Sequence, residues 1–161
     1  RFFQDLLSRF LHEYLTGHIV RDEYRLRELF SYNPAHNPLG RRSPTPRPDF
    51  MILRRGEVVA VLDAKYRDLW EHPLPRNMLY QLALYALSQS DCHQSVILYP
   101  SLDSATVEQR IRIHEPLHGS ARAEVVLRSV DLLYLEQLLA TPHTQARVVE
   151  REKLARELAL G

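Results

Sequence analysis

One cysteine among 161 residues, Cys92, leaves no internal disulfide to form and no thiolate cluster to hold zinc. A reducing compartment follows as the expectation, with the cytosol as the default. Five glycines are too few and too scattered for a glycine-rich phosphate cradle. No apolar run approaches the roughly 20 residues that a membrane span needs, and no secretory leader is visible, so no membrane role is expected. Charge of one sign is also missing. With 21 Lys and Arg against 20 Asp and Glu, the net charge is +1, and any binding to a polyanion must come from local clustering. Eight histidines show no paired metal-ligand spacing, which disfavours a histidine-based metal centre.

What is present is ordinary globular material, 45% hydrophobic and 25% charged. The length suits one domain with a sizeable core, so a single domain over 1–161 is expected. The chain opens on Arg1 with helical periodicity already under way, which suggests a domain cut from a longer protein, its C-terminal part.

Residues 2 to 16 repeat apolar side chains at helical spacing: Phe2, Phe3, Leu6, Leu7, Phe10, Leu11, Tyr14 and Leu15. Glu13 falls inside that apolar arc, where an unpaired carboxylate is costly. It needs a partner, such as a metal ion, or a place at the edge of the stripe that reaches water. Gly17 ends the helix, and 19–30 reads as an irregular strand or strand pair. Five prolines between 34 and 48 exclude regular structure and predict a long loop. Arg41, Arg42 and Arg47 make that loop basic, and such a loop can track a phosphate backbone.

Residues 50–53 and 58–66 read as two strands joined by a turn at Arg55-Gly56. Side chains two apart on a strand share a face, so Asp63 and Lys65 lie together, roughly 6 to 7 Å apart along the backbone. Antiparallel pairing across the turn brings Asp49 to the same end. Two carboxylates and an ammonium converge. Tyr66, next in line, is assigned to packing.

A loop over 70–75 leads to a helix over 77–88, apolar nearly all round and therefore mostly buried. On it Gln81 and Tyr85 are four apart and aim at a common point. Strands follow over 95–99, stopped by Pro100, over 107–113 by strict alternation, and over 123–127. A helix over 131–140 is capped by Ser129 or Asp131, and a charged helix runs from His143 to Leu160. The order predicts an α/β domain with a central mixed sheet flanked by helices.

Hydrolysis of a phosphodiester needs an activated water and a counter-charge for the pentavalent transition state. Hard oxygen ligands hold Mg²⁺ or Mn²⁺ through a few carboxylates plus water and substrate phosphate. Asp49 and Asp63 suit that role, with Glu13 as a third ligand and the Ala64 carbonyl as a further oxygen. Lys65 beside them can orient or help deprotonate the attacking water.

At these residues the sequence resembles the PD-(D/E)xK nuclease superfamily. Pro48-Asp49 and Asp63-Ala64-Lys65 match its two defining pieces, and Gln81 to Tyr85 is similar to the Gln-x-x-x-Tyr motif of its RecB-like branch. Arg47-Pro-Asp49, Leu62 to Tyr66 and Tyr80-Gln81 followed by Tyr85-Ala86 most resemble the nuclease domain of McrC. That protein is the cleaving subunit of McrBC-type 5-methylcytosine-dependent restriction systems.

The resemblance runs from Glu13 to about Leu98. It implies a restriction-endonuclease-like core and Mg²⁺-dependent endonucleolytic cleavage of DNA. In those terms Asp49 and Asp63 are ligands, Lys65 is the catalytic lysine, Glu13 is the first-helix acid, and Gln81 and Tyr85 are supports. Asp63 stands where many members of the superfamily carry Glu.

A GTP-hydrolysing AAA+ motor subunit, McrB-like, is the implied partner, and a dimer would serve double-strand cleavage. This chain has no glycine-rich phosphate loop, so the motor would be another polypeptide. Two alternatives remain open. One is a RecB-like exonuclease or repair nuclease. The other is an inactive nuclease-like module that binds DNA or docks a partner through the basic loop, Arg110 and Arg112.

Overall fold

The computed structural model describes residues 1–142 and 144–161. Helix α1 (Phe2–Tyr14) buries Phe3, Leu7, Phe10, Leu11 and Tyr14, while strand β1 (Ile19–Asp22) follows a turn at Gly17, whose φ of +75° suits glycine. The proline-rich stretch then runs without regular structure except for one 3₁₀ turn over Pro34–His36, capped by the Asn33 side chain. Strands β2 (Phe50–Arg54) and β3 (Glu57–Ala64) form the expected hairpin. Arg55 and Gly56 both have positive φ, at +54° and +87°. This is the primed two-residue turn that matches the twist of the flanking strands.

Helix α2 (Arg76–Leu87) precedes β4 (Gln94–Ser101), β5 (Gln109–His114) and β6 (Ala121–Asp131), and α3 (Leu132–Ala140) and α4 (Gln145–Leu160) complete the chain. The Asp131 carboxylate caps α3 by accepting from the Tyr134 N–H at 2.9 Å. The Thr144 hydroxyl caps α4, and His143, placed at the start of that helix from sequence, lies outside the described residues.

All six strands join one mixed sheet in the order β1-β2-β3-β4-β6-β5. Strands β3, β4 and β6 run parallel at its centre, and β2 and β5 run against their neighbours. Strand β3 sorts its side chains as alternation requires. Leu62 and Ala64 enter the core beneath α1 and α4, and Val61 enters the second core beneath α2. The fold is thus an α/β domain of helices on both faces of a mixed sheet, compatible with a restriction-endonuclease-like core.

Three expectations are corrected. Strand β4 does not stop at Pro100 but continues to Ser101. Leu98 turns its backbone toward β3, where its carbonyl accepts from Lys65. Pro100, two residues on, turns the same way, and β3 has already ended at Ala64, so its missing N–H leaves no donor gap in the ladder. Helix α2 is not mostly buried. Only Leu82, Tyr85 and Ala86 are, because it packs on one face of the sheet and leaves Tyr80 and Leu87 in solvent. Strand β5 begins at Gln109, and Val107 is exposed in the approach to it.

Candidate functional site

The hairpin register decides the geometry. Phe50 pairs with Leu62, so the next position outward sets Asp49 opposite Asp63 at the carboxyl end of β3, where a central strand gives way to loop. Lys65 lies just beyond the strand. Its ammonium sits 2.7 Å from Asp63 Oδ2 and 3.4 Å from Asp49 Oδ2. Asp49 Oδ2 also accepts from the Ala64 N–H at 2.8 Å, which ties the two segments together through the backbone.

Asp63 is 3% exposed, and burial, reinforced by the charge of Asp49, pushes its pKa up to about 6 against the pull of Lys65. The two carboxyl groups are close enough to hydrogen-bond each other. Burial opposes the charge on Lys65, yet the bond and charge of Asp63, with Asp49 behind it, outweigh that and hold its pKa above the usual lysine range. Lys65 is therefore an ammonium here. The site holds two carboxylates that crowd each other and one cation between them, an excess of hard negative oxygen.

That donor set fits a divalent cation. Asp49, Asp63 and the Ala64 carbonyl would hold it, in keeping with ions that take one or two carboxylates and complete their shell with water and phosphate. Among the described residues no group of three or more His, Cys, Asp or Glu side chains is placed to share an ion.

Glu13 is the member that the fold leaves out. Its side chain is exposed and accepts from the Tyr14 hydroxyl at 2.6 Å. Of its two sequence-based placements, the edge of the stripe is the observed one. From α1 it is Gln4 that reaches the site, donating from Nε2 to Asp49 Oδ1 at 2.9 Å. Gln4 and Glu13 are nine residues apart, about 13.5 Å along the axis and half a turn around it, so both cannot serve one point. Sequence reasoning missed Gln4 because it carries no charge. The signal was its place at the edge of the buried arc, one turn from Leu7 and two turns from Leu11.

On α2, Gln81 donates from Nε2 to the Tyr85 hydroxyl at 2.9 Å. Burial raises the Tyr85 pKa, the bond from Gln81 works the other way, and the charges of Asp63 and Asp49 add to the rise. The pair therefore stands within electrostatic reach of the carboxylates. Arg47 is exposed and pairs with Glu23 at 3.5 Å, two residues before Asp49. The side chains of Arg41 and Arg42 are exposed, with no ion pair or hydrogen bond among the described residues, and no contact joins them to the carboxylates. Arg110 and Arg112 have their charge taken up by Glu108 and Glu124, which weakens the case for them as a basic patch.

An α/β core with two carboxylates and a lysine converging where β3 ends is the frame in which the comparisons fall. No family model matches the chain, and no curated protein matches it. A solved structure does: a chain in the refined half-complex from a tetradecameric assembly of Thermococcus gammatolerans McrB AAA+ hexamers with bound McrC. The TM-score is 0.54 at 19% identity, over 96% of this chain and 32% of that one. The likeness is one of fold, and this chain spans about a third of the length of that neighbour.

No helix among the described residues is long and apolar enough to cross a membrane.

Proposed function

We propose that this chain is a metal-dependent DNA endonuclease domain of the PD-(D/E)xK type, working as the cleaving part of a McrBC-like restriction system. The observation that carries the proposal is the Lys65 ammonium held between Asp63 and Asp49 where β3 ends. Mg²⁺ or Mn²⁺, when bound, supplies a Lewis acid and lowers the pKa of its water.

The protein's own groups do the rest. Asp49, with Oδ1 fixed by Gln4 and Oδ2 fixed by the Ala64 N–H, presents oxygens that cannot swing away. Lys65 donates hydrogen bonds to the attacking water, orients it, and neutralises charge that builds on the phosphoryl oxygens. Tyr85 and Gln81 wall the α2 side and keep a polar tip toward the carboxylates. Arg41, Arg42 and Arg47, on the loop that leads into Asp49, would meet the phosphate backbone.

The partner reading is supported by the neighbour, a chain in an assembly of McrB AAA+ hexamers with bound McrC. A separate AAA+ motor would deliver the DNA here, and a second protomer would complete a double-strand break.

The test is cleavage of supercoiled plasmid in Mg²⁺ or Mn²⁺. Nicked or linear product from the wild type, absent in EDTA and absent in Lys65→Ala, is the expected result. Product that persists in the Lys65→Ala protein at the wild-type rate would remove the proposal. Gln4→Ala frees one oxygen of Asp49 without touching the ion. Loss of such an orienting partner costs about 10- to 100-fold in metal affinity or activity. Titration of Mn²⁺ against cleavage rate reads that loss, and an unchanged midpoint and rate would show that Gln4 does not position Asp49.

A further inference from the structure

Two large aromatic side chains stand in solvent directly after the lysine. Tyr66, assigned to packing from sequence, is 74% exposed, and Trp70 is 37% exposed. Neither is loosely held. Leu69 is buried between them, and Asp68 accepts from the Trp70 and Glu71 N–H groups at 2.9 and 3.0 Å, a turn that fixes the backbone under the indole. The Tyr66 ring meets buried Phe3 edge to face, with centroids 6.1 Å apart. The rings are thus held out by design of the loop, where burial would have been favourable.

They line a cavity of about 460 Å³ whose wall begins one residue after Lys65 and takes in Pro100 and Leu102 at the end of β4, with Leu132 from the start of α3. The rest of its wall is Arg67, Ser101 and the acidic Asp68, Glu71 and Asp103. Carboxylates repel a phosphate but accept the exocyclic N–H groups of a nucleobase, and aromatic faces stack on any base. Arg67, without a salt-bridge partner among the described residues, can stack or meet the sugar-phosphate at the rim.

We infer that this cavity is a subsite for an unstacked nucleobase, held by Tyr66 and Trp70 next to the phosphate that is cut. The inference rests on the nuclease proposal and adds to it that the substrate strand is opened at the site. A double helix keeps its base faces covered, so only a single-stranded, frayed or extruded nucleotide can enter.

Trp70 is the single tryptophan of the chain, so its emission reports on this cavity alone. Labelled single-stranded oligonucleotides are titrated in EDTA, where no cutting occurs, with anisotropy reading binding and Trp70 fluorescence reading the pocket. An abasic oligonucleotide of equal length and charge is the control.

The expected result is quenching of Trp70 by the base-bearing strand and not by the abasic one. With it goes a loss of about 5- to 100-fold in affinity in Tyr66→Ala, recovered in Tyr66→Phe. Tyr66 is exposed, so its removal leaves the fold intact. Binding seen by anisotropy with equal Trp70 emission on both strands overturns the subsite and leaves the nuclease proposal standing. Affinity in Tyr66→Ala within about twofold of wild type has the same consequence. Absence of any anisotropy change on every DNA overturns the subsite, while the nuclease proposal stands or falls by the plasmid assay.

Discussion

Asp63→Asn is expected to abolish DNA cleavage and, in the same protein, to raise the melting temperature. Cleavage should fall by a factor on the order of 10³ or more, because the substitution removes a carboxylate charge from the proposed metal site and breaks the pairing that aims Lys65. Stability moves the other way for a reason of charge. The Asp63 pKa rises from an ordinary 3.8 to about 6 in the fold. Between those values the native state keeps a proton that the unfolded chain has given up, so stability falls as pH climbs through that window and stays reduced above it. An uncompensated rise of that size costs about 2–3 kcal/mol at neutral pH.

Asparagine keeps the shape and drops the charge. For a domain of this size the gain is about 5–10 °C at pH 7.5, shrinking toward zero near pH 4. Mg²⁺ should raise the melting temperature of the wild type and not of Asp63→Asn, since only the former gains by binding. Equal melting of both proteins across the pH range would mean that the carboxyl pair is not strained.

The same pair shows how much of the site could be read without coordinates. Asp49, Asp63 and Lys65 follow from period-two alternation and a two-residue turn, both strictly local rules, and the fold places them as those rules require. Which α1 residue joins them is a different kind of question. The apolar arc of α1, drawn from sequence, took in Phe2 and Leu6, and so widened until it swallowed Glu13. In the fold Phe2 is 81% exposed, the true arc centres on Leu7 and Tyr14, and Gln4 marks one border of it. Hydrophobicity alone does not tell a buried phenylalanine from an exposed one; the neighbouring sheet does.

Sheet order has the same character. Alternation identifies β5 as half-buried, but nothing local says that β6, later in the chain, slips between it and β4. That placement comes from eight paired positions along β4 and six along β5, contacts far apart in sequence. The proline-rich stretch is legible as loop for the opposite reason, since proline limits the backbone wherever it falls.

Arg151→Met is expected to loosen the domain more than any surface change, although Arg151 touches none of the site residues. Its guanidinium is 1% exposed and spans three helices. Nε and Nη2 donate to the Leu138 carbonyl at 3.0 and 2.6 Å and Nη2 to that of Thr141 at 2.8 Å, which satisfies acceptors that α3 leaves open at its end. Nη1 donates to the Tyr14 hydroxyl at 3.1 Å, and the cation lies 5.5 Å from the centre of that ring.

Methionine fills similar volume but leaves those carbonyls buried without donors, a loss of about 3–5 kcal/mol, or about 6–20 °C in melting temperature at this chain length. Tyr14→Phe removes one hydroxyl and should cost only about 1 kcal/mol. Comparing the two by urea unfolding separates the carbonyl cap from the bond to the Tyr14 hydroxyl. Near-equal losses would place the lock at Tyr14 and not at the end of α3. The consequence reaches the site because α1 carries both Tyr14 and Gln4. A helix released at its C-terminal end holds Asp49 less firmly at its N-terminal end, so Arg151→Met should also weaken metal binding at temperatures where the protein is still folded.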